Sequence, residues 1–415
     1  MCSYIYLTAN STIPQSITIK EAPTLMITLE EQKALNQLNE LRIGAGLVPL
    51  TVNKNLQQAA RNHAKYLIVN DKIGHYEDHK LSSYSGQYGS DRSIRTGYQT
   101  PLIIENVSSN SLGYEDSIDG LMAAIYHRFG FLDFHIDEIG IGVDQNLIQK
   151  DKTAFVYDMG SKSLVELCRN RKSTSKIYNS NHIDKVCADP KQTVTKEDFF
   201  EAVFAHKYRN KQVVIYPFNG QEDIPPAFYD ELPDPLPNHS VSGFPISISF
   251  NEARVQSLRM ISFRLFDQRQ QEITDTLVYD HKCDPNQQLK KYEFALFPLK
   301  RLEWNSTYYA QAVYELDGII RKTEWHFHTK RFSKPFHQVN DRQESYRIVE
   351  NEPTIFYFPP RHRQDVLGDL QYPSLLDIDF IDKNTIKLVA NGTASSQITL
   401  EVGEHELVLD IKSRN

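Results

Sequence analysis

Apolar residues recur every three to four positions through the first third of the chain and at alternate positions from residue 238 onward. The change of period separates a mainly helical region from a β-rich one. In "LEEQKALNQLNELRIGAGL", Ala34, Leu38, Leu41 and Ala45 share a helical face, with Thr28 placed to cap the start and Gly44 and Gly46 to end it. "NKNLQQAARNHAKYLIVN" puts Leu56, Ala60, His63 and Leu67 on one face. A third helix is expected in "YEDSIDGLMAAIYHRF", where Ile118, Met122 and Ile125 are in phase. A Ser/Gly/Tyr-rich loop over residues 76–100 joins the second and third helices, and strands are expected at 138–143 and 153–160. Helices followed by a short antiparallel set predict an α+β sandwich over residues 24–160.

Residues 161–237 break the pattern. They hold one short helix ("TKEDFFEAVFAH"), a strand-like "KQVVIYPF" and a stretch with prolines at 225, 226, 233, 235 and 237, which reads as a stiff linker. In residues 238–332, "FPISISF" places Ile246, Ile248 and Phe250 on one face. "LEWNSTYYAQAVYELDG" sets Leu302 six positions before Tyr308 and ends in an Asp317–Gly318 turn, and it resembles the tyrosine-corner stretch of immunoglobulin-like and fibronectin-type sandwiches. Residues 333–415 end in three alternating strands separated by Asn-Gly and Gly-Glu turns, a second small β domain. Residues 1–23 read as a flexible tail, and no period of repeat-protein length runs through the chain.

Charge narrows the choice of function. The net charge is −7 and the basic residues are scattered, so no nucleic-acid partner is expected. No apolar run reaches membrane-spanning length, and the first residues lack the charged head and apolar stretch of an intact secretory signal. Of four cysteines, Cys168 and Cys187 bracket a stretch too polar to pack itself down. A disulfide between them is expected to stabilise by roughly 3 kcal/mol in the chain-entropy model. It would place the protein in an oxidising space, secreted or in the cell envelope. Cys2, just after Met1, reads equally as a lipid-bearing cysteine or as an ordinary one in a frayed tail.

The densest candidate chemistry is "GHYEDH", residues 74–79. Taken in order, "LNELRIGAGLVPL", "LQQAARNHAKYL", "GHYEDH", "RTGYQTPLIIENVS", "DGLMAAIYHR" and "DEIGIGV" resemble the bacterial branch of the CAP superfamily of cysteine-rich secretory, antigen and pathogenesis-related proteins, over roughly residues 28–160. The resemblance implies an α–β–α sandwich and a cleft where two histidines meet one or two glutamates. Its first cleft histidine falls on His75, the glutamate of its G-E-N motif on Glu105, followed by Asn106, and its second histidine on His127, expected at the C-terminal end of the third helix. Two positions depart from the pattern: Ile104 replaces the motif glycine, and Ala124 stands where a second glutamate is expected. His79 is expected to be an exposed loop residue, His63 a satisfied core or cleft-edge histidine, and Glu77 and Asp78 solvated.

Two imidazoles and one carboxylate suit zinc with one position left for water, so His75, Glu105 and His127 are the expected metal set. No serine-esterase elbow, Walker A loop or dinucleotide fingerprint occurs, and "HELVL" at His405 lacks a second histidine. The leading expectation is an extracytoplasmic, non-enzymatic protein whose cleft binds a small molecule, lipid or peptide, presented by β modules to other envelope proteins. Tyr76, Phe129 and Phe131 would either suit such a ligand or pack against the central sheet, and packing is the expectation for Phe129. The alternatives are a metal-assisted hydrolase with Glu105 as general base, and an adhesin-like structural protein with a vestigial cleft.

Overall fold

The computed structural model describes residues 24–170, 181–205, 209–368, 370–391 and 397–412. Cys2 and the middle of the Cys168–Cys187 loop lie outside them. Helices α1 (Ile27–Ala45) and α2 (Lys54–Asn70) follow the expected periodicity. Gly46 ends α1 in the left-handed region, but Thr28 lies inside the helix and Met26 occupies the cap position without a side-chain bond. Asn53 caps α2 by accepting from the N–H groups of Asn55 and Leu56. The loop after α2 contains a short helix, α3 (Gly89–Arg95), that periodicity did not reveal. The expected third helix is two: α4 (Tyr114–Ala123) and α5 (Ile125–Phe131), broken where Ala124 takes an extended ψ of 113°.

Four strands build the central sheet: β1 (Thr51–Val52), β2 (Ile104–Ser109), β3 (Glu138–Gln145) and β4 (Thr153–Gly160), in the order β1-β3-β4-β2. Strands β3, β4 and β2 are antiparallel, and β1 joins β3 in parallel. Alternation sorts the two faces. Ala154 and Val156 pack with Ala60, Ala64 and Leu67 of α2. Phe155, Tyr157 and Met159 pack with Ala34 and Leu38 of α1 and Ile118 and Met122 of α4. A Cβ at Gly140 or Gly142 would come within 2.2 Å of the α2 backbone, so the bare strand lets that helix lie directly on the sheet. The sandwich expected for residues 24–160 is thus present, with β2 as its edge.

The disulfide joins Cys168 on α6 (Lys162–Asn170) to Cys187. With α7 (Lys196–Val203), Leu164, Val186 and Val194 the bond forms a small separate core. Beyond it come two facing four-stranded sheets. One contains Thr276–Tyr279, Glu293–Pro298, Ile246–Phe250 and Val213–Tyr216, the other Leu258–Phe266, Thr307–Leu316, Ile319–Thr329 and Gln221–Ile224. Asp317 and Gly318 make the expected tight turn, both with positive φ. The Tyr308 hydroxyl accepts from Glu303 N at 2.9 Å. The last module has its own core around Phe356, Leu388, Leu400 and Leu409, and its three C-terminal strands are Thr385–Ala390, Gln397–Val402 and His405–Lys412.

The linker reading needs correction. Val213–Tyr216 pairs with Ile246–Phe250, and Gln221–Ile224 pairs with the strand ending at Thr329, so the supposed spacer supplies strands to both sheets. The Pro-rich stretch is wedged against the helical domain. Phe228 and Leu236 pack with Ile125 and Phe129, and one core runs from α1 through Tyr216 and Phe244 into the second domain. Arg128 is buried in this junction, donating to Met122 O and Pro245 O at 2.6 and 2.7 Å with its guanidinium over the Phe244 and Tyr216 rings. Phe129 therefore serves the junction rather than a ligand, and Phe131 is wholly buried against Tyr157.

Candidate functional site

Glu105 and Asn106 are neighbours on the edge strand β2, so their side chains leave opposite faces. Each holds one of the two expected histidines. His75 Nδ1 lies 2.9 Å from Glu105 Oε1, and Asn106 Nδ2 donates to the backbone oxygen of His127 at 2.8 Å. The rings of His75 and His127 stack, with centroids 6.4 Å apart and planes inclined by 16°. The three residues converge as expected. His127, however, lies in the first turn of α5 rather than at the end of a long third helix.

Polar groups that local pattern could not place build the His75 side. Gly74 turns with φ 85°, and its backbone oxygen bonds His63 Nε2 at 2.9 Å. His63 Nδ1 meets Glu77 Oε1 at 2.9 Å, both side chains fully buried. His63 is thus the satisfied core histidine anticipated. Glu77 is not solvated: it accepts from Ser85 N and Oγ and from Gly86 N, folding the loop around itself. His79 is exposed, as expected. Arg92 of α3, fully buried, donates to His75 O from both Nη atoms at 3.2 Å and to Glu105 Oε2 at 2.6 Å. It fixes the backbone of His75 and the carboxylate that holds its ring.

Behind Glu105 stands Asp158, its direct partner in the β2–β4 register. Asp158 is fully buried, and neither of its oxygens has a hydrogen-bond partner among the described residues. Burial and then the adjacent Glu105 charge push its carboxyl well above the usual range. Burial also raises Glu105, but the His75 hydrogen bond and the Arg92 charge outweigh it and bring that carboxyl down to about 2.

The His127 side has an unexpected member. Ala124 offers no side chain to cap α5. The carboxylate of Glu231, from the Pro-rich stretch, takes that role: Oε1 accepts from Ile125 N at 2.7 Å and Oε2 from Tyr126 N at 3.1 Å. The same Oε2 lies 3.1 Å from His127 Nδ1. The second carboxylate absent from position 124 is supplied from about a hundred residues downstream. Burial pushes Glu231 up, and His127 and the two backbone donors pull it back only in part.

The expected zinc set does not fit this arrangement. Both oxygens of Glu105 are taken, by His75 and Arg92, and Glu231 is spent on His127 and the α5 amides. Only the two Nε2 atoms remain as donors, short of the three protein ligands of an open zinc site. The described residues contain no group of three or more His, Cys, Asp or Glu side chains able to hold a metal ion.

Sandwich, edge strand and paired histidines define the class: residues 35–156 match the model of the cysteine-rich secretory protein family, and this part of the chain is a CAP domain. Similar solved structures include an extracellular protein with an SCP domain from Bacillus anthracis, at 19% identity over 34% of this chain and 45% of that one, TM-score 0.29. An outer surface protein from Borrelia burgdorferi is 18% identical over 32% of this chain and 92% of its own, TM-score 0.28. A cysteine-rich secretory protein from Staphylococcus aureus is 18% identical over 33% and 40%, TM-score 0.25. The chain thus spans less than half the length of the first of these. No curated protein matches it.

Proposed function

We propose that this is an extracytoplasmic binding protein whose CAP cleft takes a small molecule, lipid or peptide that presents hydrogen-bond donors. One observation carries the reading. Each of two stacked imidazoles has its Nδ1 on its own buried carboxylate, His75 on Glu105 and His127 on Glu231, which leaves the Nε2 atoms as the free ring nitrogens. A neutral imidazole that donates from Nδ1 is an acceptor at Nε2, and in that form the pair suits an amide or hydroxyl donor. Tyr76, next to His75 in the chain, and Tyr88 are about half exposed and meet edge to face, an apolar surface on the same loop. The disulfide supports an oxidising compartment, and no described helix is long and apolar enough to cross a membrane.

A second reading, a hydrolase, is favoured by Glu231, which restores a second carboxylate in space. In it Glu105 is not the base, because Arg92 and His75 hold it ionised. His75 is the base and Glu105 orients it, as carboxylates orient imidazoles in acyl-transfer enzymes. The full chain and its His75→Asn and His127→Asn variants separate the two readings when screened against peptide, ester and glycan substrates alongside equilibrium binding of the same compounds. Binding that falls in both variants with no turnover in any supports the first reading. Turnover abolished in His75→Asn while the fold persists replaces it with the second.

A further inference from the structure

A second cleft, of about 630 Å³, opens between the paired sheets and the C-terminal module. Its walls come from the segment after Glu293–Pro298, from residues 239–241 and from Pro359–Arg363. The Arg363 backbone oxygen accepts from Ser240 N and Val241 N at 2.7 and 3.1 Å, which ties two of these walls together. The lining carries Lys300, Arg301, Arg361 and Arg363, with His239 and His362, and the carboxylates of Asp275 and Glu303; Asp382 and Glu404 pair with Arg301 and Arg361 from behind it.

Arg301 shows that the cleft is built. Its side chain is 1% exposed, its Nη2 bonds Asp382 at 2.6 Å, and its guanidinium lies over the rings of Tyr357 and Trp304 at 4.4 and 4.7 Å. Held in this way, its Nε–H still has no acceptor. Arg301 is thus a fixed, buried cation of the cleft wall, and contact with a ligand falls to the exposed side chains beside it. Arg361 shares Glu404 at 3.2 Å. The side chains of Lys300 and Arg363 have no acceptor among the described residues. The His239 imidazole, pushed down by burial and then by the Arg363 charge, registers the same positive field.

We propose that this cleft is a binding site, separate from the CAP cleft, for a small molecule bearing a phosphate or sulfate group, which the exposed Lys300 and Arg363 side chains hold. The volume lies in the range of small-ligand sites. Guanidinium groups suit such oxyanions, because they present several N–H donors in one plane. Pro359 and Pro360 supply an apolar edge for the body of the ligand.

Calorimetric titration of the full chain tests this with three probes: inorganic phosphate, a sulfated disaccharide and the same disaccharide without sulfate. Saturable binding of the sulfated sugar is expected, roughly tenfold or more tighter than that of the uncharged sugar, and weaker as salt is raised. Binding of phosphate alone to a similar extent identifies a free anion as the ligand, whereas preference for the sulfated sugar identifies an ester. Both depend on the proposed site if Lys300→Ala with Arg363→Ala, two exposed positions outside the cores, loses roughly tenfold or more in affinity. Absence of binding by both anionic probes at millimolar concentration overturns the proposal, as does equal affinity in the folded double variant.

Discussion

The Glu231 carboxylate lies 3.1 Å from His127 Nδ1 and caps the helix that carries that histidine. One side chain therefore couples the CAP domain to the stretch that leads into the second domain. Elsewhere along the junction, Asp133 pairs with Lys290 at 2.6 Å and Tyr126 bonds Asp284. Glu231→Ala should leave the N–H groups of Ile125 and Tyr126 without their acceptor and lower stability by about 1–3 kcal/mol. Chemical denaturation reads the loss. Glu231→Gln, which keeps one amide oxygen, should recover part of it, and equal stability of all three proteins would show that the contact contributes nothing.

The two carboxyls at the edge strand should give opposite pH dependences. Asp158 is raised, so its contribution is full below the unfolded carboxyl value and is lost as pH rises through its folded one. Asp158→Asn removes that loss. The variant should gain stability relative to the parent on going from pH 4 to pH 8, measured as the difference in melting temperature at each pH. A constant difference would mean that Asp158 ionises in the fold without penalty.

Glu105 is lowered to about 2, so its contribution is present above the unfolded value and disappears as pH falls toward 2. Glu105→Gln leaves buried Arg92 with only the more distant Glu77 carboxylate, at 3.7 Å, as a charge partner and frees the His75 ring. A loss of roughly 3–5 kcal/mol at neutral pH is expected, shrinking as the medium is acidified. Urea midpoints at neutral and acidic pH test it, and a loss that does not shrink would mean that burial dominates.

Cys168 and Cys187 should resist alkylation until reduced. Replacing both with serine should cost about 3 kcal/mol in the chain-entropy model, confined to the small core of Leu164, Val186 and Val194. Hydrogen exchange should then rise in residues 162–170 and 181–203 and remain low in β3 and β4. Uniform loss of protection across the central sheet would show that the bond supports the whole domain.

Zinc should find no high-affinity site, because the carboxylates beside the histidines are already engaged. Calorimetric titration at neutral pH should give the same weak response in the parent and in His75→Ala with His127→Ala. Tight binding lost in the double variant would mean that the carboxylates release their partners to make room for the metal.

Periodicity determined what is local. The faces of α1 and α2, the alternation of β3 and β4, the Asp317–Gly318 turn and the polar loop that needs a disulfide all follow from side-chain spacing, because helix and strand geometry dictate which residues share a side. Ordered motifs brought His75, Glu105 and His127 into one site. What spacing cannot carry is the identity of the opposing surface. Leu41 shares the α1 face with Arg42, yet Arg42 is the residue buried, since it alone meets the carbonyls of Val48, Phe131 and Ile136. Glu77 reads as solvated until His63 and Ser85 close around it. Ala124 reads as a lost glutamate until the docked second domain delivers Glu231. A buried polar group is stable only with its partners in place, and here those partners come from elements whose meeting is decided by packing across the whole chain.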